Sequence, residues 1–323
     1  MDDARRRPLP LHLLLAALTC TLITACAAPA PLRERNTPPG LDQTAAAGVR
    51  GTHTMTHDGR ERSWLTYVPA GFDDPAAVLL IFHGSGDDAL GIRGWLGTYF
   101  ELIAEEHNVV IAYPSGYQYN WNECRREGRW PAKDENIDDV GFARAIVDRL
   151  ESDLGSGAVD RERVFAAGYS SGGHMAMRMG READDLIRAI AVVAANPPTP
   201  DNQTCRDQTT PMPALFIAGV QDIVNPFTGG EVRVSGPGGS RGTVLSTPVG
   251  AQWYADVNRA TGPHPVASPA GVRITDWTGD HPVRLIAVEN EGHNFPVSTL
   301  HAPNEIWQFL DRVSRDRPPP GPA

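Results

Sequence analysis

Lysine is almost absent from this sequence, and positive charge as a whole is scarce. The 323 residues include a single lysine, Lys133, and 29 Lys+Arg stand against 39 Asp+Glu, which gives a net charge of −10. The pI is about 5.4. Proteins that bind nucleic acids present a stripe of basic side chains to the phosphates. The composition therefore predicts no nucleic-acid partner.

Cysteine is scarce too. Of the four cysteines, Cys20 and Cys26 lie in an N-terminal export signal, which leaves Cys124 and Cys205 for a folded domain. In an oxidising compartment two such residues are expected to form a disulfide, although two unrelated buried thiols remain the alternative. No Cys/His spacing typical of zinc is present, and we expect neither metal nor cofactor.

No apolar run is long enough for a transmembrane helix of the mature protein. Arg5, Arg6 and Arg7 form a basic n-region, and residues 11–23 form a short apolar h-region that runs into Cys26. This resembles a bacterial lipobox, which predicts lipidation at Cys26 and anchoring in the cell envelope. Cleavage farther on, near residues 28–30, would instead release a secreted protein. The lipid anchor is the only membrane contact that we expect.

The sequence is interpreted as four consecutive segments. Residues 1–25 are interpreted as a lipoprotein-type signal peptide and residues 26–49, rich in Pro and Ala, as a flexible tether. Residues 50–314 form the predicted catalytic domain, and the proline-rich residues 315–323 are interpreted as a disordered tail. The sequence does not indicate an oligomeric state.

Within the domain, strand-like and helix-like stretches alternate. This alternation predicts an α/β fold with a mostly parallel central sheet and helices on both faces. Residues 51–55 and 62–68 are predicted to form an antiparallel hairpin. The predicted buried strands are residues 78–82, 109–113, 164–167, 189–194, 214–218 and 283–288. The predicted helices are residues 140–150, 173–179, 249–259 and 304–313.

Two stretches match the pattern Gly-x-Ser-x-Gly, centred on Ser170 and Ser240. Ser170 follows a predicted strand and precedes a predicted helix, which is the strand–turn–helix elbow that exposes a nucleophilic serine. Ser240 lies in residues 235–242, interpreted as a surface loop with no strand or helix beside it. Ser170 is therefore the candidate nucleophile.

A serine hydroxyl needs a base, and the base needs an acid that holds its tautomer. In elbow-type hydrolases these partners follow in the order Ser, Asp/Glu, His, after late strands. Asp222 and His293 occupy those places and complete the predicted catalytic triad. The rival residues Asp276, His281 and His301 lie off the expected strand ends.

The reaction also needs N–H donors for the oxyanion. One predicted donor is Ser171, directly after the nucleophile. The second comes from His83-Gly84-Ser85-Gly86, which matches the HG-type motif after a strand. We choose Ser85 and leave Gly86 as the alternative; His83 is then structural rather than a base.

Together these motifs resemble the polyhydroxybutyrate depolymerase / feruloyl esterase group. The resemblance covers nearly the whole domain and rests on an ordered set of stretches: residues 82–84, 113–116, 121–122, 138–142, 159–160, 163–165 and 168–173, Asp222, and residues 292–296.

This resemblance implies an α/β-hydrolase that acts on carboxylic esters, with Trp121 either lining the substrate pocket or acting as a packing aromatic. Ser85 and Phe295 stand where the group tends to have cysteine and tryptophan. A small ester or a decorated polysaccharide is therefore at least as plausible a substrate as a polymer. A peptidase or acyltransferase on the same fold is the alternative within hydrolases. A non-catalytic surface binding protein is the alternative outside enzymology.

Overall fold

A ten-stranded sheet forms the centre of the protein. The computed structural model describes residues 46–234 and 239–315. Across the sheet the strand order is β1-β2-β4-β3-β5-β6-β7-β12-β11-β10, while β8 and β9 form a separate ribbon. The strands are β1 (Val49–His57), β2 (Arg60–Val68), β3 (Ala76–Phe82), β4 (Val109–Pro114), β5 (Val159–Tyr169), β6 (Ala189–Val193), β7 (Ala214–Gly219), β8 (Gly230–Arg233), β9 (Ser240–Val244), β10 (Thr261–Val266), β11 (Val272–Thr278) and β12 (Val283–Val288).

The six central strands, from β4 to β12 in that order, run parallel, and antiparallel pairs extend both edges. Helices cover both faces. In chain order they are α1 (Ala89–His107), α2 (Pro131–Asp134), α3 (Asp139–Leu154), α4 (Ser171–Glu182), α5 (Thr247–Asn258), α6 (Val297–Leu300) and α7 (Ala302–Arg315). The prediction of a mostly parallel sheet with helices on both faces is confirmed.

The alternation of side chains along β3 shows how the two faces are filled. Val78, Leu80 and Phe82 pack with α3, α4 and α5 in one apolar cluster. Leu79 and Ile81 point the other way and pack with α1 and α7. A strand buried on both faces needs a continuous apolar sequence rather than an alternating one. This explains why the short apolar runs were recognisable as parallel strands.

The predicted hairpin is confirmed as β1 and β2. Asp58 and Gly59 connect them with φ of 48° and 71°, and a two-residue type I′ turn requires positive φ at both positions. The first strand begins at Val49, one residue before the expected domain boundary. Residues 1–45, which include Cys26 and the signal peptide, lie outside the described residues, as do residues 316–323 of the expected tail. None of the helices in the described ranges has the length and apolarity needed to cross a bilayer.

Candidate active site

Ser170 lies in a tight turn between β5 and α4. Its backbone has φ 54° and ψ −119°, a strained conformation for a residue with a side chain. Two glycines make the turn sterically possible. A Cβ on Gly168 would lie 2.0 Å from the carbonyl oxygen of Gly172, and one on Gly172 would lie 2.1 Å from that of Phe82. The glycines of the motif are therefore required by close backbone approach.

Ser240, the centre of the second motif, is in a different setting. It is exposed and begins β9, so the prediction that no strand adjoins it is wrong. Its hydroxyl oxygen accepts a hydrogen bond from the backbone N–H of Gly242 at 3.0 Å. No helix follows it directly, and it therefore lacks the strand–turn–helix setting that exposes a nucleophile.

The side chains of Ser170, His293 and Asp222 form one hydrogen-bonded line. His293 Nε2 is 2.9 Å from Ser170 Oγ, and His293 Nδ1 is 2.7 Å from Asp222 Oδ2. Because a carboxylate only accepts hydrogen bonds, Nδ1 carries the ring proton and Nε2 is available to accept from the hydroxyl. This is the arrangement that activates a serine.

The sheet brings the acid and the base together. Asp222 follows β7 and His293 follows β12, and these strands are parallel neighbours whose carboxyl ends meet at one edge. Asp222 is buried, and its Oδ1 accepts from the backbone N–H groups of Val224 and Asn225, both at 2.8 Å. These two bonds hold the carboxylate in place and leave Oδ2 for the histidine.

Tyr169 holds the histidine segment from the side and was not singled out by the sequence. Its hydroxyl donates to the carbonyl oxygen of His293 at 2.9 Å, and the two ring centroids are 5.4 Å apart. Trp95 and Phe295 pack against the same tyrosine ring. The position of Tyr169 directly before the nucleophile was the available signal.

The rival residues serve other purposes. Asp276 lies on β11 and binds Arg284 through two hydrogen bonds of 2.7 Å. His281 lies in the turn between β11 and β12, and its carbonyl oxygen accepts from Asn258. His301 is exposed and ends α6 with a positive φ.

Hydrogen bonding around the HG-type loop separates the two oxyanion candidates. The backbone N–H of Gly86 donates to the carbonyl oxygen of Tyr119 at 2.8 Å. This donor is already engaged, which favours Ser85 as the second donor. Ser171 begins α4, and the first N–H groups of a helix have no acceptor within the helix. The roles of Ser85 and Ser171 as oxyanion donors stay predictions.

His83 is a structural part of this loop. Its Nδ1 donates to the carbonyl oxygen of Gly84 at 2.7 Å, and its Nε2 accepts from the backbone N–H of Gly116 at 2.8 Å. Burial lowers the pKa of His83 to about 4. The ring is therefore neutral at physiological pH and is fully engaged in shaping the loop.

No family model matches the sequence. NocK of Nocardia uniformis subsp. tsuyamanensis, which is named as an esterase, is 28% identical over 322 residues that cover 92% of this chain and 91% of that protein. Feruloyl esterase C of Emericella nidulans is 28% identical over 309 residues, which cover 92% of this chain and 99% of that protein.

Solved structures agree on the fold. Acetyl xylan esterase from Aspergillus awamori superposes on 81% of this chain and 99% of its own, with a TM-score of 0.55 at 15% identity. The CE1 ferulic acid esterase from Anaeromyces mucronatus covers 87% of this chain and 94% of its own, with a TM-score of 0.54 at 14% identity.

The chain is a feruloyl esterase-like α/β-hydrolase. It is accordingly a serine carboxylic ester hydrolase. The fold class predicted from the sequence and the resemblance to esterases of this group are both confirmed.

In this esterase the side chain of Trp121 has no solvent-exposed surface, which counts against the expectation that it lines the substrate pocket. Its side chain is fully buried, its Nε1–H donates to the carbonyl oxygen of His83 at 2.8 Å, and its ring packs edge-on against Phe82. These contacts are those of a packing aromatic, the alternative that the sequence had left open, and they tie Trp121 to the HG-type loop of residues 83–86.

A disulfide joins Cys124 to Cys205, with their Cα atoms 5.0 Å apart. The backbone N–H of Thr204 also donates to the carbonyl oxygen of Cys124 at 2.9 Å. The bond therefore ties the segment after Trp121 to the segment between β6 and β7. Over residues 46–234 and 239–315, no group of three or more His, Cys, Asp and Glu side chains is placed to hold a metal ion.

Proposed function

We propose that the esterase cleaves carboxylic esters with Ser170 as nucleophile, His293 as general base and acid, and Asp222 as the residue that orients the histidine. The hydrogen-bonded line from the hydroxyl through the imidazole to the buried carboxylate is the observation that carries this proposal. An acyl-enzyme intermediate follows from this chemistry.

In the first half of the reaction Ser170 Oγ attacks the ester carbonyl carbon while His293 Nε2 takes the hydroxyl proton. The carbonyl oxygen becomes an oxyanion, which the backbone N–H groups of Ser171 and Ser85 stabilise. The tetrahedral intermediate then collapses: the carbon–oxygen bond to the alcohol breaks, and His293 gives its proton to the leaving alkoxide. Ser170 remains as an acyl ester.

In the second half a water molecule replaces the alcohol. His293 Nε2 takes a proton from the water, whose oxygen attacks the acyl carbon. The same two N–H donors stabilise the second oxyanion. When this intermediate collapses, the bond to Ser170 Oγ breaks and the serine recovers its proton from His293. The free acid leaves, and no cofactor takes part in either half.

For the substrate we propose feruloyl or acetyl esters of a plant polysaccharide or small esters of similar acids. This rests on the names of the relatives, one a feruloyl esterase and another an acetyl xylan esterase. A panel of feruloyl, acetyl-xylan, hydroxybutyrate and simple acyl esters, compared by kcat/KM, identifies the preferred acyl group. A preference for hydroxybutyrate oligomers would overturn this choice.

The serine assignment is tested with two matched variants, Ser170→Ala and Ser240→Ala, on p-nitrophenyl acetate. We expect Ser170→Ala to lose at least about 10³-fold in kcat and to escape labelling by a fluorophosphonate probe. Ser240→Ala should behave as wild type. Retained activity in Ser170→Ala would refute the proposal. A labelled enzyme that cleaves peptides but no ester would indicate a peptidase.

We also propose that the esterase is exported and held in the cell envelope by lipid on Cys26. The lipobox-like stretch supports the anchor, and the Cys124–Cys205 disulfide fits an oxidising compartment. Metabolic labelling with a fatty acid analogue should mark wild type and not Cys26→Ser. Equal labelling of both proteins, or labelling of neither, would contradict the anchor.

A further inference from the structure

Three cationic side chains, Arg125, Lys133 and Arg241, lie near one another and have no part in the mechanism. We call them the cationic cluster. Arg125 is paired with Glu123 at 2.9 Å, and both of these side chains are almost completely buried. The charge of Glu123 acts on all three cations, and it is the carboxylate bound directly to Arg125. Three positive charges therefore share one buried carboxylate.

Two members of the cluster present donors that the described residues do not satisfy. Nε and Nη1 of Arg241 and Nζ of Lys133 are buried atoms without a hydrogen-bond partner in the described part of the chain. Arg241 is only 7% exposed. Unpaired buried cations are costly, and a bound anion would offset that cost. Burial, followed by the nearby charge of Arg125, lowers the pKa of Arg241 to about 10, so it remains charged at neutral pH.

An indole ring orients these two donors. The guanidinium of Arg241 lies 4.1 Å from the ring centre of Trp130, and the ammonium of Lys133 lies 5.1 Å from it. A cation that stacks on an aromatic face is positioned without a partner anion. The two cations are therefore held in place before any ligand arrives.

A chain of hydrogen bonds connects the cluster to the HG-type loop. Trp130 Nε1–H donates to the carbonyl oxygen of Trp121 at 2.7 Å, and Trp121 Nε1–H donates to that of His83 at 2.8 Å. On the nucleophile side, His174 lies one helical turn after Ser170 and its N–H donates to the serine carbonyl at 3.2 Å. The two indole hydrogen bonds therefore link the cluster to the HG-type loop.

The pKa of His174 is affected by the charges of the cluster. Its side chain is buried and its Nδ1 has no hydrogen-bond partner within the described ranges. Burial, followed by the charges of Arg125, Arg241 and Lys133, holds its pKa well below the ordinary value. The imidazole is neutral and adds no charge of its own, and the three cations act on it one helical turn after Ser170.

We propose that the cationic cluster is a subsite for a carboxylate on the substrate, so that the esterase prefers esters whose acyl or alcohol part bears a second, free carboxylate. This inference rests on the proposed function, because the subsite is defined relative to Ser170. A carboxylate oxygen accepts from both an ammonium and a guanidinium, and pairs of this kind are among the strongest hydrogen bonds in proteins. In a protein of net charge −10, a local cluster of this sign also offsets the general repulsion of an anionic substrate.

The test compares esters that differ only in a carboxylate or a primary amide. One pair, methyl 4-carboxycinnamate and methyl 4-carbamoylcinnamate, varies the acyl part; the other, 4-acetoxybenzoate and 4-acetoxybenzamide, varies the alcohol part. Each kcat/KM is divided by the rate constant for alkaline hydrolysis, which removes intrinsic reactivity. Wild type should prefer the carboxylate in at least one pair, and Arg241→Gln should reduce that preference about 30-fold, as expected for loss of a desolvated ion pair.

Lys133→Gln should reduce the preference in the same direction, which guards against a folding defect in Arg241→Gln. Arg233→Gln is the matched control, because Arg233 lies on the neighbouring strand β8 and is largely exposed in a pair with Glu231; it should keep the wild-type preference. Equal rates within both pairs, or a preference that survives Arg241→Gln and Lys133→Gln, would overturn the subsite alone. Failure to hydrolyse any of the four esters would contradict the subsite and the proposed function together.

Discussion

Replacing Asp222 by asparagine isolates the role of the carboxylate with a minimal change in shape. The carboxylate accepts three N–H groups, one from His293 at 2.7 Å and two from the backbone of Val224 and Asn225 at 2.8 Å. An asparagine has only one acceptor oxygen. If that oxygen keeps the backbone bonds, the amide NH₂ faces His293 Nδ1, and the ring proton moves to Nε2.

With its proton on Nε2 the histidine cannot accept from Ser170. The corresponding change in a serine protease lowers kcat by about 10⁴, equivalent to about 5 kcal/mol of transition-state stabilisation. We expect a loss of this size in Asp222→Asn, measured as kcat on p-nitrophenyl acetate. The melting temperature should change little, because the backbone bonds survive.

Asp276→Asn provides the matched control, since Asp276 on β11 is the rival acid and pairs with Arg284 of β12. It should keep wild-type kcat. A kcat for Asp222→Asn within tenfold of wild type would refute the tautomer argument. A large loss of kcat in Asp276→Asn instead would assign the role of the acid to Asp276 on β11.

Three further predictions concern stability and packing. Burial lowers the pKa of His83 to about 4, so the neutral ring contributes its full share of stability above the unfolded pKa of about 6.5, and this share is lost as the pH falls towards 4. Between pH 7 and pH 5 the free energy of unfolding in urea should therefore fall by about 2 kcal/mol in wild type, and by less in His83→Gln. An equal pH effect in both proteins would contradict this. Replacing Cys124 and Cys205 by serine removes a disulfide between residues 81 positions apart in sequence and should lower the free energy of unfolding by about 4.5 kcal/mol. A change below about 1 kcal/mol would count against this stabilisation by the disulfide. Gly172→Ala places a Cβ 2.1 Å from the carbonyl oxygen of Phe82 and should abolish activity. The control Gly94→Ala in α1 meets no atom within 4 Å and should stabilise the helix by about 0.5–1 kcal/mol. If Gly172→Ala is as active as Gly94→Ala, the close approach of Gly172 to the backbone of Phe82 is wrong.

The parts of the fold that the sequence predicted are those with a local signal. Runs such as residues 78–82 are apolar throughout because both faces of the strand are buried. Helix α1 was not predicted, since its sequence carries glycines at 91, 94 and 97 that lower helix propensity. Strand β10 was missed as well. It is exposed along its whole length and contains two prolines, which an edge strand tolerates and which remove the usual alternation.

The residues of the candidate site, too, were predictable only where the sequence carries a local signal. Ser170, Asp222 and His293 were identifiable because each follows a recognisable strand in a fixed order. The engagement of the Gly86 N–H by Tyr119 could not be predicted, since it depends on a loop packing against another loop. Arg241 was assigned to a surface loop, yet folding buries it against Trp130. Contacts between residues this far apart in sequence leave no local pattern.

The near absence of lysine has a practical consequence. Amine-directed reagents, such as those used to couple enzymes to resins or dyes, find one side-chain target in this protein, Lys133. That ammonium lies against Trp130, in the inferred substrate subsite. Because this nitrogen is buried, it is a poor target for such reagents, and carboxylate- or tag-directed attachment is the better choice for immobilising the enzyme.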